Sequence, residues 1–175
     1  MSEKKIEFYS PRFHVFDNFS SFQINWQDNV YPTNEHAYQS AKFLHSAQTN
    51  PEAFAVAEEI RTAPSPYEAL HLARQHSDAY DQEEWNALKV DRMRSICEQK
   101  LFQHAIVGYL LYKSDGSILV ENSPTDTFWG IGRDGSGKNS LGLVWMNLRE
   151  QHWDELPKQN PYPNPKAPLS PPDQI

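Results

Sequence analysis

The sequence predicts an α+β fold, a single helix-rich domain with a small β-sheet. Three observations carry this. The length of 175 residues and a hydrophobic content of 38% suit one domain with a proper core. Capping residues stand just ahead of helical runs at four places along the chain. Only a few short stretches, near the N-terminus and after Asp115-Gly116, have the aromatic and β-branched character of strands.

Taken in order, "IEFYSPRFHVFDNFSSFQINWQDNVY" (residues 6–31) mixes aromatic and polar residues with turn signals. It predicts strands near 6–9, 13–16 and 22–26. "YPTNEHAYQSAKFLHSA" opens a helix with Thr33 as N-cap, running to about Ala47. Asn50-Pro51 starts a second, because proline suits the first helical position. Ser65-Pro66-Tyr67-Glu68 is a capping box with proline at N1 and starts a third. Asp81 through Glu84 repeats that logic for a long helix over about 82–102. "AIVGYLLY" predicts a short helix, "SILVEN" a strand and "NSLGLVWMNLREQHW" a last helix. From Pro157 the text becomes "PKQNPYPNPKAPLSPPDQI", with seven of the thirteen prolines. The folded domain is therefore expected at 1–156, with 157–175 a tail inclined to polyproline II.

Charge and composition narrow the function. A net charge of −7 sets the surface as a whole against nucleic acid and anionic membranes, and leaves room only for a local basic pocket. The single cysteine, Cys97, cannot form an intrachain disulfide; in "VDRMRSICEQKLF" it reads as a buried inert thiol and fits a reducing cytosol. The N-terminus lacks the apolar run of a signal peptide, and no segment could span a bilayer, so a cytoplasmic location is expected. Seven histidines show no metal-ligand spacing, and no metal or cofactor is expected.

The glycine-rich stretch "GRDGSGKNSLG" (132–142) imitates two nucleotide motifs. As a P-loop it lacks the hydroxyl that ligates magnesium, because Asn139 stands there, and "TDTFWGIG" before it is no hydrophobic strand. As a dinucleotide fingerprint, "GIGRDG" lacks the acidic residue after a second strand. What remains is physical. Gly130, Gly132, Gly135 and Gly137 could turn backbone N–H groups inward just before a helix, a geometry that favours a phosphate. The competing reading is a plain glycine-rich loop that caps a helix through Asn139.

The other dense stretch is "YPTNEHAYQSAKF". Glu35, Tyr38 and Lys42 fall at i, i+3 and i+7, on one helical face. A carboxylate at Glu35 could activate water or stabilise a developing cation; the plainer reading is an acid favoured by the helix dipole, with Lys42 a solvated charge. Asp126 reads as a site carboxylate or a turn residue. Trp85 and Trp129 read as core, or as platforms on which a flat base stacks.

Taken together, "DNFS", "YPTNEHAYQSAKF", "EEWNALKVDRM" and "DTFWGIGRDGSGKNSLGLVWMNLR", in that order, resemble the NADAR family, particularly its bacterial branch of N-glycosidases acting on riboflavin-biosynthesis intermediates. The resemblance covers about residues 6–150. It implies a metal-independent hydrolase of N-glycosyl bonds with a small α+β fold. The implied ligand is a small phosphorylated riboside, cleaved to ribose 5-phosphate and an aminopyrimidine, or an ADP-ribose-like group in other branches. The implied catalytic residues are Glu35, Asp126 and Lys42. The implied substrate-binding residues are Trp85, Trp129, Asn139 and the glycines 130, 132 and 135, with Asn18 and Phe19 carried by "DNFS", which departs from the more usual Ser-Asn-Phe form. The competing functions are an ADP-ribosyl hydrolase on modified bases or protein, and a non-catalytic ADP-ribose-binding module.

Overall fold

A computed structural model describes residues 4–9, 14–47 and 50–162. They cluster into two compact units, one made of the chain up to Ser20 and from Lys100 onward, the other of Ser21–Gln99. We call these the terminal unit and the inserted unit.

The inserted unit opens with an antiparallel hairpin, β2 (Ile24–Trp26) and β3 (Asn29–Tyr31), in which Ile24 faces Tyr31. Gln27 and Asp28 make its turn at φ 50° and 62°, the left-handed pair that a two-residue hairpin loop demands. Helix α1 (Asn34–Ser46) follows, with the Thr33 hydroxyl accepting the His36 N–H. Helix α2 (Pro51–Arg61) is capped by Asn50 and α3 (Pro66–Gln75) by Ser65, each with proline in the first turn. Asp81 caps α4 (Gln82–Gln103) by accepting the N–H groups of Glu83 and Glu84. The core of α1–α3 is Phe43, Val56, Ile60 and a run of alanines, Ala53, Ala57, Ala69 and Ala73. Those small side chains let the helices approach closely, and the Ser40 hydroxyl reaches the Ala57 carbonyl at 2.9 Å.

The terminal unit pairs β1 (Lys4–Phe8) in parallel with β4 (Ser117–Glu121). Helix α5 (Ala105–Lys113) precedes β4, and α6 (Ser140–Gln151) follows a long loop. The α6 backbone lies so close to β4 that a Cβ on Gly142 would collide with the Leu119 carbonyl. Phe16, Leu111, Leu119, Leu141, Trp145 and Leu148 fill the core.

The α+β class holds, with one correction. Residues 14–16, the described part of the strand expected near 13–16, form no strand: residues 15–20 run through turns and bends. Val15 and Phe16 are buried there as individual side chains rather than along a ladder, and the Trp145 indole N–H donates to the Phe16 carbonyl at 2.9 Å. Among the described residues the strands of the small sheet pair as β1 with β4 and β2 with β3. Of the proline-rich tail, residues 157–162 are coil and mostly exposed; the rest lies outside the described residues.

Candidate active site

In the inserted unit, α1 and α4 gather Glu35, Tyr38, Lys42 and Trp85. Glu35 sits in the first turn of α1 yet is only 6% exposed. The dipole alone would favour an acid there but gives no reason to bury it, and burying a carboxylate is costly unless it is paired or hydrogen-bonded. Its Oε1 accepts the Gln39 amide N–H at 2.7 Å. Lys42, two turns along the same face, feels Glu35 electrostatically. The Lys42 ammonium lies 5.4 Å from the Tyr38 ring centre and 6.0 Å from that of Tyr80. Tyr38 in turn packs on Trp85, centroids 5.3 Å apart, and Trp85 is 5% exposed. The lysine thus stands on aromatic faces rather than in solvent. Burial, above all, lowers its pKa to about 8; Glu35 opposes the shift, and Arg74 and Lys89 add to it. A carboxylate and a lysine poised near neutrality against an aromatic wall form a proton-handling arrangement.

In the terminal unit the turn at 14–20 and the loop at 122–139 carry the other candidates. Asn18 is buried and Phe19 half-buried, in a turn that Asp17 organises by accepting the Phe19 N–H at 2.8 Å. Lys100, fully buried, donates to the Asp17 carbonyl (2.9 Å) and the Ser20 hydroxyl (2.7 Å). Asp126 Oδ1 accepts the N–H groups of Phe128 and Trp129 at 2.8 and 2.7 Å, which makes it the organiser of its own turn. Trp129 is buried, with the Phe128 ring edge-on to it at 5.0 Å.

The glycine turn is not the inward-facing N–H cradle that its composition suggests. The N–H of Gly132 goes to the Asp126 carbonyl, Gly135 to Gly132, Gly137 to Ile131, Lys138 to Thr127 and Asn139 to Gly130. The first N–H groups of α6, on Ser140 and Leu141, are taken by Phe128 and Trp129. The glycines serve loop closure: a Cβ on Gly130 would meet the Glu121 carbonyl at 2.8 Å, and one on Gly132 would meet the Thr127 methyl at 2.8 Å. Gly132 and Gly135 hold φ of 68° and 75°. Asn139, itself left-handed at φ 52°, makes no side-chain cap to α6. Its amide instead clamps β4, accepting from the Glu121 N–H (2.9 Å) and donating to the Leu119 carbonyl (2.8 Å). The N–H groups of Gly132 and Gly135 and the side chain of Asn139 are thus engaged within the loop and with β4.

Sequence reasoning missed Gln39, Tyr80 and Lys100. Gln39 stands at i+4 from Glu35, which is a readable signal. Lys100 follows Met93, Ile96 and Cys97 at helical spacing and precedes Leu101, so it falls on the buried face of α4. Cys97 is buried, with the Asn34 amide donating to its sulfur at 3.6 Å. Among the described residues no group of three or more His, Cys, Asp or Glu could hold a metal ion. No helix among them is long and apolar enough to cross a membrane.

The family model for the NADAR domain matches residues 7–153. The chain belongs to the NADAR family. This NADAR chain is 38% identical over 136 residues to an N-glycosidase of Nostoc punctiforme, covering 78% of the chain and 83% of the relative. It is 35% identical over 153 residues to the N-glycosidase YbiA of Escherichia coli. The NMR structure of E. coli YbiA superposes with a TM-score of 0.74 at 33% identity, covering 94% of each chain. A chloroplastic riboflavin biosynthesis protein PYRR of Zea mays is 35% identical over 153 residues, which are 83% of the NADAR chain but only 24% of the maize protein.

Proposed function

We propose that the protein is an N-glycosidase that hydrolyses the ribose–base bond of phosphorylated pyrimidine intermediates of riboflavin biosynthesis, releasing ribose 5-phosphate and an aminopyrimidine. The observation that carries the reading is the buried Glu35 carboxylate paired along α1 with a lysine whose pKa lies at about 8. Relatives named N-glycosidase and riboflavin biosynthesis protein support the reaction class.

Cleavage of a ribosyl C–N bond passes through an oxocarbenium-like state, as glycoside hydrolysis does. Glu35 stabilises that positive charge, and a carboxylate that is buried and fixed acts strongly in that role. Its Gln39 hydrogen bond fixes the orientation of the carboxylate. Water adds to C1 and loses a proton to Glu35, while the electron pair of the breaking C–N bond leaves with the base. The Lys42 ammonium gives its proton to that base nitrogen, and a lysine near pKa 8 does so more readily than an ordinary one. Glu35 then gives its proton to solvent and the Lys42 amine takes one up from it, which resets both groups. Tyr38 and Trp85 supply the flat apolar wall for the pyrimidine. Asp126 is the carboxylate to test should Glu35 prove dispensable; its Oδ1 accepts the N–H groups of Phe128 and Trp129.

The test is to incubate the purified protein with a panel of phosphorylated pyrimidine ribosides and ADP-ribosylated acceptors and to identify products by mass spectrometry. Free ribose 5-phosphate from the ribosides supports the assignment; release of ADP-ribose alone refutes it.

A further inference from the structure

The inserted unit contains a pocket that none of the roles above uses. Trp26, Gln27, Ala41, Leu44, His45 and Arg92 enclose about 200 Å³ between the hairpin, α1 and α4. That is less than the roughly 300–1,000 Å³ of sites that hold a whole drug-sized ligand, so the pocket suits one small group of a larger molecule. Arg92 is half-buried, and among the described residues it makes no hydrogen bond or ion pair. A guanidinium presents five N–H donors in a fixed fork, and in a recess it is satisfied by an oxyanion of matching geometry. His45 adds a second basic group, oriented by Glu84, whose carboxylate lies 2.6 Å from its Nε2. The Trp26 indole N–H is spent on the Ser95 hydroxyl, so that ring serves as wall. In the glycine turn, by contrast, the N–H groups of Gly132, Gly135, Gly137, Lys138 and Asn139 go to carbonyls of the loop itself.

We propose that the Arg92–His45–Gln27 pocket receives the phosphate monoester of the riboside. The inference rests on the N-glycosidase reading and gives it a specificity site. Along α1, a rise of 1.5 Å per residue puts Glu35 about 10 Å before Lys42 and His45 about 4.5 Å after it. The pocket thus lies one helical turn beyond Lys42, within reach of the 5-phosphate of a ribose held beside that lysine. The electrostatic grip on this remote phosphate holds the reacting bond against the carboxylate.

The test is calorimetric titration of the intact protein with ribose 5-phosphate, alongside kcat/KM for a phosphorylated riboside and its dephosphorylated form. Arg92→Gln should weaken ribose 5-phosphate binding about tenfold to a hundredfold, the range for a lost charge-assisted contact, and should lower the ratio of the two kcat/KM values by a similar factor. Arg92→Lys keeps the charge but loses the fork, and should weaken binding several-fold; it carries the test if the glutamine variant does not fold. Binding unchanged within twofold in the folded variants overturns the proposal. ADP-ribose binding more tightly than ribose 5-phosphate, with the same Arg92 dependence, overturns the monoester assignment. If wild-type protein binds ribose 5-phosphate through Arg92 yet cleaves no riboside, the anion site stands and the N-glycosidase reading fails.

Discussion

On the proposed mechanism, in which the Lys42 ammonium is the proton donor, raising the pH through 8 should switch off turnover. Burial is the main cause of its depressed pKa; the attraction of Glu35 works against it, and Arg74 and Lys89 lower it further. In the free enzyme the protonated form is present below about 8. The basic limb of kcat/KM should therefore break near pH 8 and fall about tenfold per unit above it. An ordinary lysine would put that break near 10.5. Lys89→Gln removes a like charge and should move the break to higher pH. Glu35→Gln removes the attraction and should move the lysine titration, followed by NMR of labelled lysine, to lower pH. Stability has a definite sign as well. Between about 8 and 10.5 the unfolded chain holds the Lys42 proton and the native state does not, so stability rises with pH across that window. The ceiling is about 1.4 kcal/mol per unit, reduced for a side chain that keeps some solvent contact. A basic limb breaking above pH 10, or one that Lys89→Gln leaves in place, refutes the reasoning.

The loop makes two further predictions. Asn139→Ala removes both bonds to β4 and puts alanine at φ 52°, which should cost about 2–4 kcal/mol in urea unfolding. Asn139→Gly should cost about 1 kcal/mol less, since glycine accepts the left-handed backbone. Gly135→Ala meets nothing within 4 Å and bears only its positive φ, a cost of about 1 kcal/mol. Gly137→Ala drives a Cβ into the Gly130 carbonyl and the Ile131 backbone, and should lower stability by more than about 2 kcal/mol.

Local chemistry made most of the fold readable. Thr33, Asn50, Ser65 and Asp81 each accept a backbone N–H at a helix start, as their side chains and the following prolines or acids imply. The failures came where tertiary contacts decide. "RFHVF" has strand composition, but Val15 and Phe16 are held singly, with the Phe16 carbonyl bound by Trp145, far along the chain. The Glu35, Tyr38 and Lys42 face was legible from periodicity, whereas the burial that separates a site carboxylate from a dipole-favoured acid was not. The glycine turn misled for a related reason. Composition says that N–H groups can turn inward, but not whether the loop's own carbonyls take them, and here they take those of Gly132, Gly135 and Gly137. Arg92 carried no signal in "KVDRM"; only the pocket around it sets it apart from a surface charge.

The most direct measurement of the central claim is the rate of ribose 5-phosphate release from a phosphorylated pyrimidine riboside by wild type and Glu35→Gln. Glutamine keeps the shape and can still accept the Gln39 hydrogen bond, so the variant should fold, losing only about 0.3–1 kcal/mol of helix-dipole interaction, and should still bind ribose 5-phosphate. Its turnover should fall at least about a hundredfold, the usual cost of losing a general base. Release by a folded Glu35→Gln variant at a rate near that of wild type would contradict the account, leaving Glu35 as a helix-start residue and Asp126 as the carboxylate to test.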